Sequence, residues 1–156
     1  MTRIENLETL LTSSDTKESV IKLSCFITKA CDYGDSMEKL TKSQKQFYYN
    51  REFEREVNNG GFAQYFFNSS GDFVHQTIHS LRAIGADTTA NILQEAIDQF
   101  PDKNVPQDRT ERYKILEQIQ DTAKPIWDEI EKRFFEYPDD LNILNLDFVK
   151  QNKNDF

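Results

Sequence analysis

Apolar side chains recur every three or four residues along most of the chain, which is the spacing of one face of an α-helix. The first clear run follows Ser14 and Asp15, two residue types that cap helix N-termini, and it ends before Gly34. Its apolar positions are Val20, Ile21, Leu23, Phe26 and Ile27. The pattern predicts a core helix in this segment.

A second helix is predicted to begin after Thr41, whose hydroxyl can cap a helix N-terminus. Tyr49, Phe53 and Val57 lie four residues apart on one face of this helix. The sequence Asn-Asn-Gly-Gly at residues 58–61 should stop it in a sharp turn, because asparagine and glycine tolerate left-handed backbone conformations.

A pair of shorter helices is predicted next. The Asn-Ser-Ser-Gly sequence at residues 68–71 supplies a turn and a cap for the first of them, which should end at Gly85. Asp87 is expected to cap the second helix, and Pro101 should close it. The apolar positions are Val74, Ile78 and Leu81 in the first helix and Ile92, Leu93, Ala96, Ile97 and Phe100 in the second. The two helices should form a hairpin.

The segment from residue 109 to about residue 136 keeps one apolar stripe in register on both sides of Pro125. Its positions are Ile119, Ala123, Ile126, Ile130 and Phe134. The pattern predicts a long helix with a bend or a break near residues 121–124, because proline lacks an amide donor and crowds the preceding turn. Pro138 should end this helix, and Asp139 should cap a last amphipathic helix whose final residues fray.

Together these elements predict an all-α fold, a single-domain bundle of about six to eight helices that covers residues 1–156. Twelve Phe and six Tyr supply bulk for a core, and only five Gly and four Pro argue against a turn-rich β-fold. No run approaches the roughly 20 apolar residues of a membrane helix, and the first residues lack the apolar run of a signal peptide. We therefore expect a cytoplasmic protein that does not contact membranes.

The chain is acidic, with 19 Lys and Arg against 27 Asp and Glu and a net charge of -8. This charge disfavours direct binding to nucleic acid and to anionic lipid, and it favours basic partners. Most of the acid excess lies in residues 79–156, with 16 acids and 10 bases, compared with 11 and 9 in residues 1–78. Acidity also keeps many proteins in solution, so charge alone does not identify a function.

The cysteines and histidines do not complete a recognisable site. Cys25 and Cys31 lie six residues apart on different helical faces, so we expect two buried thiols without a disulfide. His75 and His79 have the i, i+4 spacing of a metal pair, but only Asp72 could join them, and a solvated or ion-paired stripe is the favoured interpretation. We expect no metal and no cofactor.

Motifs of known catalytic sites are also missing, since the chain has no GxSxG elbow and no phosphate-binding glycine loop. Glu52 and Glu56 share a helical face, as paired catalytic carboxylates would, but Arg51 and Arg55 lie beside them. A solvated face whose charges pair with one another accounts for these four residues. The chain is expected not to be an enzyme.

Residues 56–71 combine turn-forming residues with dense aromatics. As a folding device, this segment would place glycines at a close approach and then insert aromatic rings into the core. The alternative is a pocket with an aromatic floor, in which Asn58, Asn59, Gln64 and Tyr65 would serve a small-molecule binding domain or an enzyme.

Eleven positions of this segment have a distinctive order and spacing: Asn58, Asn59, Gly60, Gly61, Phe62, Gln64, Tyr65, Phe66, Asn68, Ser69 and Gly71. They resemble the signature of a bacterial domain family of unknown function whose described member is a DNA-mimic protein. The resemblance covers about residues 40–135. It implies an all-helical fold and a non-enzymatic protein whose acidic surface imitates DNA phosphates and occupies a DNA-binding regulator.

The predicted long helix carries a stripe of charged residues beside its apolar one. The carboxylates expected to be exposed and to bind a partner are Glu117, Asp121, Asp128 and Glu131 on this helix, with Asp139 and Asp140 after it. Lys124 interrupts the stripe. Successive acids are about 5 to 6 Å apart along a helix, whereas duplex DNA carries one charge per roughly 1.7 Å of axis. A DNA mimic would therefore need the neighbouring carboxylates or a second subunit.

The favoured function is a non-enzymatic acidic binding protein, a DNA mimic that occupies a basic DNA-binding protein or regulator, and the sequence permits a homodimer. The alternative is a small-molecule binding domain or enzyme that uses the polar and aromatic residues 58–65.

Overall fold

The computed structural model describes residues 3–156 and confirms the predicted all-α fold. Within these residues the chain forms seven α-helices and no β-strand. The α-helices are α1 (Leu7–Thr12), α2 (Thr16–Ala30), α3 (Lys42–Phe67), α4 (Val74–Ala83), α5 (Asp87–Ile97), α6 (Arg109–Phe135) and α7 (Leu141–Gln151). Short 3-10 helices occupy Asp32–Gly34, Met37–Lys39, Ser69–Phe73, Pro101–Lys103 and Lys153–Asp155.

The 26-residue helix α3 is the centre of the bundle, since it packs against α2, α4, α6 and α7. Helix α5 packs between α4 and α6, and α1 packs on α2. The ring of Phe53 on α3 contacts Tyr65 at a centroid distance of 5.1 Å and Phe134 of α6 at 5.5 Å. The edge-on contact between Phe53 and Phe134 therefore joins the two longest helices in the core.

The sharp turn predicted at residues 58–61 is present, but a helix resumes directly after it, so α3 continues across the turn. Its helical dihedral angles are interrupted at Gly60 (φ -155°, ψ 16°) and Gly61 (φ 72°, ψ -171°), and a second helical segment then runs to Phe67. The positive φ of Gly61 is a conformation that side chains other than glycine rarely adopt. The predicted turn is thus a break inside α3, which we call the glycine corner.

Helix α6 runs from Arg109 to Phe135, so the predicted long helix is confirmed, and of the bend or break predicted near residues 121–124 the break is absent. The predicted apolar stripe also needs one correction, because Ile126 is exposed whereas the neighbouring Trp127 is buried. The Trp127 indole donates a hydrogen bond of 3.1 Å from Nε1 to the carbonyl oxygen of Ala96 on α5. Burial of the larger, hydrogen-bonded side chain explains this difference.

One predicted core residue of α2 and one of the two predicted buried thiols are exposed. Cys31 is buried as expected, but Cys25 is exposed, and so is Ile21. Val20, Leu23 and Ile27 of the same helix are fully buried, as predicted.

Helix capping departs from the local prediction at three places. Asp15 and Thr41 cap α2 and α3 as expected. Asp87 is the first residue of α5 and not its cap. Asp139 accepts a 2.7 Å hydrogen bond from the backbone amide of Thr89, so it caps α5 instead of α7. Asp140 takes the cap of α7. Residues 68–71 likewise give α4 no side-chain cap.

The C-terminal residues are anchored, so the predicted fraying is wrong. Phe156 is buried, and its carbonyl oxygen accepts a 2.8 Å hydrogen bond from the amide of Ile4. Thr41 donates through Oγ1 to the carbonyl oxygen of Asp155 at 3.0 Å, and Ser43 donates to the Asp155 carboxylate at 2.5 Å. The two ends of the described chain therefore meet at the start of α3.

Candidate functional site

The glycine corner is held by the buried carboxylate of Glu56, which is 3% exposed. Its Oε2 accepts a 2.9 Å hydrogen bond from Gln64 Nε2 and a 2.8 Å hydrogen bond from Asn68 Nδ2, while its Oε1 pairs with Arg55 at 2.7 Å. Because Glu56 precedes the corner and Gln64 and Asn68 follow it, these hydrogen bonds fix the angle between the two helical segments of α3. The predicted pairing of Glu56 with its arginine neighbour is confirmed, but the prediction that Glu56 is solvated is wrong.

A second set of polar contacts supports the corner from the other side. Asn58 Nδ2 lies 2.9 Å from the carbonyl oxygen of Glu54 and 2.6 Å from the hydroxyl oxygen of Tyr137. Tyr137 in turn donates to the Glu54 carboxylate at 3.0 Å. Burial raises the pKa of Tyr137 above its ordinary value, so this hydroxyl stays protonated and can donate. Two of the signature amides, Asn58 and Gln64, are thus engaged in holding the fold.

Glu131 of α6 closes the corner across the helix interface. Its Oε1 accepts a 2.8 Å hydrogen bond from the backbone amide of Phe62, the first residue after the two glycines. Burial raises the pKa of Glu131, and the Phe62 amide opposes that shift. A Cβ added to Gly61 would overlap this carboxylate. The expectation that Glu131 is an exposed partner-binding residue is therefore wrong, since it is half-buried and serves as a cap.

Arg112 is a buried residue that joins several segments of the fold, and the sequence analysis did not single it out. It is 0% exposed, and its guanidinium donates to the carbonyl oxygens of Phe66 at 2.7 Å and Asn68 at 3.3 Å and to the Asp72 carboxylate at 2.7 Å. The carbonyl oxygens of Pro106 and Gln107 accept from its Nη1. One signal was available, because Arg112 lies seven residues before Ile119 on the inward stripe of α6.

The structure does not bring the predicted polar and aromatic pocket together. Tyr65 and Phe66 are buried in the core, and burial raises the pKa of Tyr65 far above its ordinary value. Asn59 is exposed on the outside of the corner. Of the signature residues, Ser69 alone lines either of the two surface clefts described for residues 3–156.

The acidic residues of α6 divide into free and engaged carboxylates. Glu117 and Asp121 are exposed and make no hydrogen bond or ion pair with any of the residues 3–156. Asp128 is exposed but pairs with Lys124 at 2.7 Å. Since a paired carboxylate already has its counter-charge beside it, the first two are the strongest candidates for attracting a basic partner.

The two carboxylates that follow α6 are engaged as helix caps. Asp139 is half-buried, and its Oδ2 accepts from both the amide and the hydroxyl of Thr89, at 2.7 and 2.8 Å. Asp140 accepts from the amide of Ile143 at 3.1 Å. These positions stabilise α5 and α7, so they extend the free acidic surface of α6 less than the sequence suggested.

The histidine pair occupies a polar flank of α4. His75 and His79 are exposed, and His75 Nε2 accepts a 3.1 Å hydrogen bond from the amide of Val105. Across residues 3–156 there is no group of three or more His, Cys, Asp or Glu side chains placed to hold a metal ion. His75 instead fastens the loop between α5 and α6 to α4.

A family model described as DMP19-like protein matches residues 38–152, which include the glycine corner, Arg112 and the whole of α6. The chain belongs to the DMP19-like protein family. The matched range therefore contains both the residues that hold the glycine corner and the free carboxylates Glu117 and Asp121 of α6. No curated protein and no solved structure gives a significant match to the chain. None of the helices in residues 3–156 has the length and apolar character required to cross a membrane.

Proposed function

We propose that this DMP19-like protein is a non-enzymatic binding protein that occupies the DNA-binding surface of a basic partner in place of DNA. The observation that carries the proposal is the pair of free carboxylates on α6, Glu117 and Asp121, in a chain of net charge -8. The membership of the DMP19-like family is compatible with it.

The physical argument starts from which charges remain available to a partner. Glu117 and Asp121 lie one helical turn apart, about 6 Å along the axis, and no cation of the described chain neutralises them. A basic surface that approaches α6 therefore meets unscreened negative charge there first. Asp128 would add to it where a partner's arginine displaces Lys124, because that ion pair is exposed and contributes little to stability.

One copy of α6 presents a short run of charge compared with duplex DNA. A standard protein interface buries about 800 Å² on each partner, which is more than two neighbouring side chains supply. We propose that the remaining surface comes from a second copy of the chain, whose own Glu117 and Asp121 would double the free carboxylates. The partner would be a basic DNA-binding regulator, and the protein would bind neither nucleic acid nor membrane directly.

The test is a charge reversal limited to the free pair. The Glu117→Lys/Asp121→Lys variant should lose binding to a DNA-binding protein captured from the native cell lysate, and helicity by circular dichroism should persist. A matched control is Glu5→Lys/Glu38→Lys, which changes the charge equally at exposed positions outside α6. DNA carrying the site of the captured protein should displace the wild-type chain.

Two results would overturn the proposal. Equal binding of the α6 variant and the control variant would show that the free pair does not contact the partner. Simultaneous binding of DNA and the wild-type chain to the captured protein would show that the chain does not occupy the DNA-binding surface.

A further inference from the structure

A surface cleft of about 460 Å³ lies between α2 and α3, and no residue of α6 lines it. Its volume falls in the range of about 300 to 1,000 Å³ that is typical of small-molecule sites. The residues that line it are Ser24, Cys25, Thr28 and Lys29 of α2, the nearby Tyr33, Arg51, Glu52 and Arg55 of α3, and Ser69. Nothing in the proposed function uses this cleft.

Hydrogen-bond donors dominate the lining. Three of the lining residues are cations, Lys29, Arg51 and Arg55, against the single acid Glu52. That acid already accepts from Arg55 at 2.6 Å, so it has little capacity left to neutralise the others. Glu54 and Glu56, which pair with the two arginines, are buried and do not line the cavity, so the charges at its wall are mainly positive in a chain of net charge -8.

The two arginines are held in place by side-chain contacts, and each still has N–H donors without an acceptor. Arg51 donates from Nε to Ser24 at 2.8 Å and from Nη1 to Glu54 at 2.5 Å, and Arg55 pairs with Glu52 and Glu56. A guanidinium has five N–H donors, so each retains donors for a further acceptor. Side chains fixed in this way lose little rotamer freedom when a ligand binds.

Lys29 supplies the one ammonium group of the lining. It is exposed, and it has no hydrogen bond or ion pair with the residues that the structure describes. It is four residues after Cys25 on α2, so both side chains lie on the same face of the helix. An unpaired cation beside two fixed guanidinium groups favours a negatively charged ligand.

Tyr33 adds an aromatic surface to the cleft. Its side chain is 68% exposed, and its backbone lies in the left-handed region at φ 58°, between Asp32 at φ 50° and Gly34 at φ 99°. Bulky residues rarely adopt this conformation, and functional sites often retain such backbone strain. The strained turn keeps a large, flat side chain at the cleft and out of the core.

We propose that the cleft between α2 and α3 binds a small anion that carries a planar aromatic group, such as an aryl phosphate. The anionic group would bind Lys29 and the two arginines, and the planar group would lie against Tyr33. This site is independent of the acidic surface of α6, so one can exist without the other.

Phenyl phosphate is the probe for the test, with inorganic phosphate and phenol as the separate halves of that molecule. Isothermal titration should give one phenyl phosphate per chain, bound about tenfold or more tightly than either half. Bound phenyl phosphate should also slow the alkylation of Cys25 by iodoacetamide severalfold, because this thiol lines the cleft and Cys31 is buried.

The matched variants separate the two parts of the site. Lys29→Gln should weaken phenyl phosphate about tenfold, because it removes one charge-assisted hydrogen bond. Tyr33→Asn should abolish the advantage over inorganic phosphate, since asparagine tolerates the left-handed backbone and removes the ring. Lys22→Gln is the control, because Lys22 lies on the same helix, outside the cleft, and pairs with Glu18.

The proposal is overturned if phenyl phosphate fails to bind the wild-type chain at millimolar concentration or fails to protect Cys25. It is also overturned if Lys29→Gln and Lys22→Gln bind alike, or if inorganic phosphate binds as tightly as phenyl phosphate. In each case the DNA-mimic proposal stands or falls separately, by the α6 variants.

Discussion

Single residues at the glycine corner show how one backbone position constrains a distant side chain. Gly61 has a positive φ and no room for a Cβ, and the atom that occupies this room is a carboxylate oxygen of Glu131. The same oxygen accepts from the amide of Phe62. The conformation of Gly61 and the position of Glu131 are therefore one feature, which joins α3 to α6.

We expect Gly61→Ala to lower the free energy of unfolding by about 3 kcal/mol, measured by urea denaturation. Strain at φ 72° and ψ -171°, a region that is essentially restricted to glycine, contributes about 1 kcal/mol or more, and displacement of the Glu131 carboxylate from the Phe62 amide contributes about 2 kcal/mol. Gly85→Ala is the control, because Gly85 also has a positive φ but an added Cβ there meets no atom within 4 Å. Equal losses for the two variants would show that the Glu131 contact contributes nothing.

The raised pKa of Glu131 gives a pH dependence with a definite sign. A carboxyl whose pKa is higher in the folded state binds protons more tightly there. Its contribution to stability therefore decreases as the pH rises from the pKa of the unfolded state through the pKa of the folded state. Glu131→Gln retains an oxygen for the Phe62 amide and does not titrate. The stability of this variant relative to wild type should therefore increase between about pH 4 and pH 7.

Glu129→Gln is the matched control for this pH dependence. Glu129 lies on the same helix, and the hydrogen bond from Lys132 lowers its pKa, so its contribution is present above the unfolded pKa and is lost as pH falls. The relative stability of this variant should change with pH in the opposite direction. Parallel urea titrations of both variants that moved in the same direction would contradict the assigned role of Glu131.

At the scale of helices, Arg112 connects the C-terminal end of α3 to the start of α6. Its donors satisfy the carbonyl oxygens at residues 66 and 68, which lie where α3 ends and where helix carbonyls lack intrahelical partners. The charge is balanced by Asp72, which also pairs with Arg109 at 2.8 Å. A buried, fully hydrogen-bonded arginine thus adds to the C-cap residue Asn68, whose amide donates to the carbonyl oxygen of Gln64.

Arg112→Met should destabilise the fold by about 3–5 kcal/mol, because it leaves buried carbonyl oxygens and part of a carboxylate without donors. Arg109→Met removes the exposed partner of the same Asp72 and should cost less than about 1 kcal/mol. Chemical denaturation of the two variants makes the comparison. Similar losses would mean that the ion pair with Asp72, and not the carbonyl contacts, carries the effect.

The helices of the bundle could be predicted from the sequence, whereas several of their ends could not. Apolar periodicity is a local property, and it located α2, the α4–α5 hairpin and α6 correctly. The cap of α5 comes from Asp139, fifty residues further along the chain, and the cap after the glycine corner comes from Glu131. Such tertiary contacts leave no trace in the local spacing of residues.

The candidate site could likewise be predicted from the sequence only in part. The glycine corner was predicted as a folding device from its glycines and aromatics, and its contacts support this interpretation. The acidic stripe was predicted from spacing alone, which cannot distinguish the free Glu117 and Asp121 from the engaged Glu131. The cleft between α2 and α3 combines residues from distant parts of the chain, so periodicity could not reveal it.

For the molecule as a whole, the last described residue is part of the core. The ring of Phe156 lies 6.0 Å from that of Phe47 at 84°, an edge-on contact at the start of α3. Hydrogen bonds from Ile4, Thr41 and Ser43 to residues 155 and 156 surround it. The N-terminal part of the bundle therefore depends on contacts with residues more than a hundred positions away.

Phe156→Ala should lower the free energy of unfolding by about 3–5 kcal/mol, as expected for loss of a buried aromatic ring. Phe67→Ala is the control, since the Phe67 side chain is 54% exposed and stacks only on Tyr113 at 4.7 Å. Thermal or urea unfolding distinguishes the variants. A loss at Phe156 no larger than that at Phe67 would mean that the C-terminal contacts are dispensable.

The hydrogen bond from the Ile4 amide to the Phe156 carbonyl oxygen, at 2.8 Å, also brings residues 4 and 156 together. A linker of a few residues spans such a gap, since each extended residue covers about 3.3–3.6 Å. A linker that joins residue 156 to residue 4 would leave the helix contacts of the described residues in place, and new ends could then be opened in an exposed loop. The order in which the helices follow one another along the polypeptide is therefore separable from the architecture that they form, and circular permutants would give access to it.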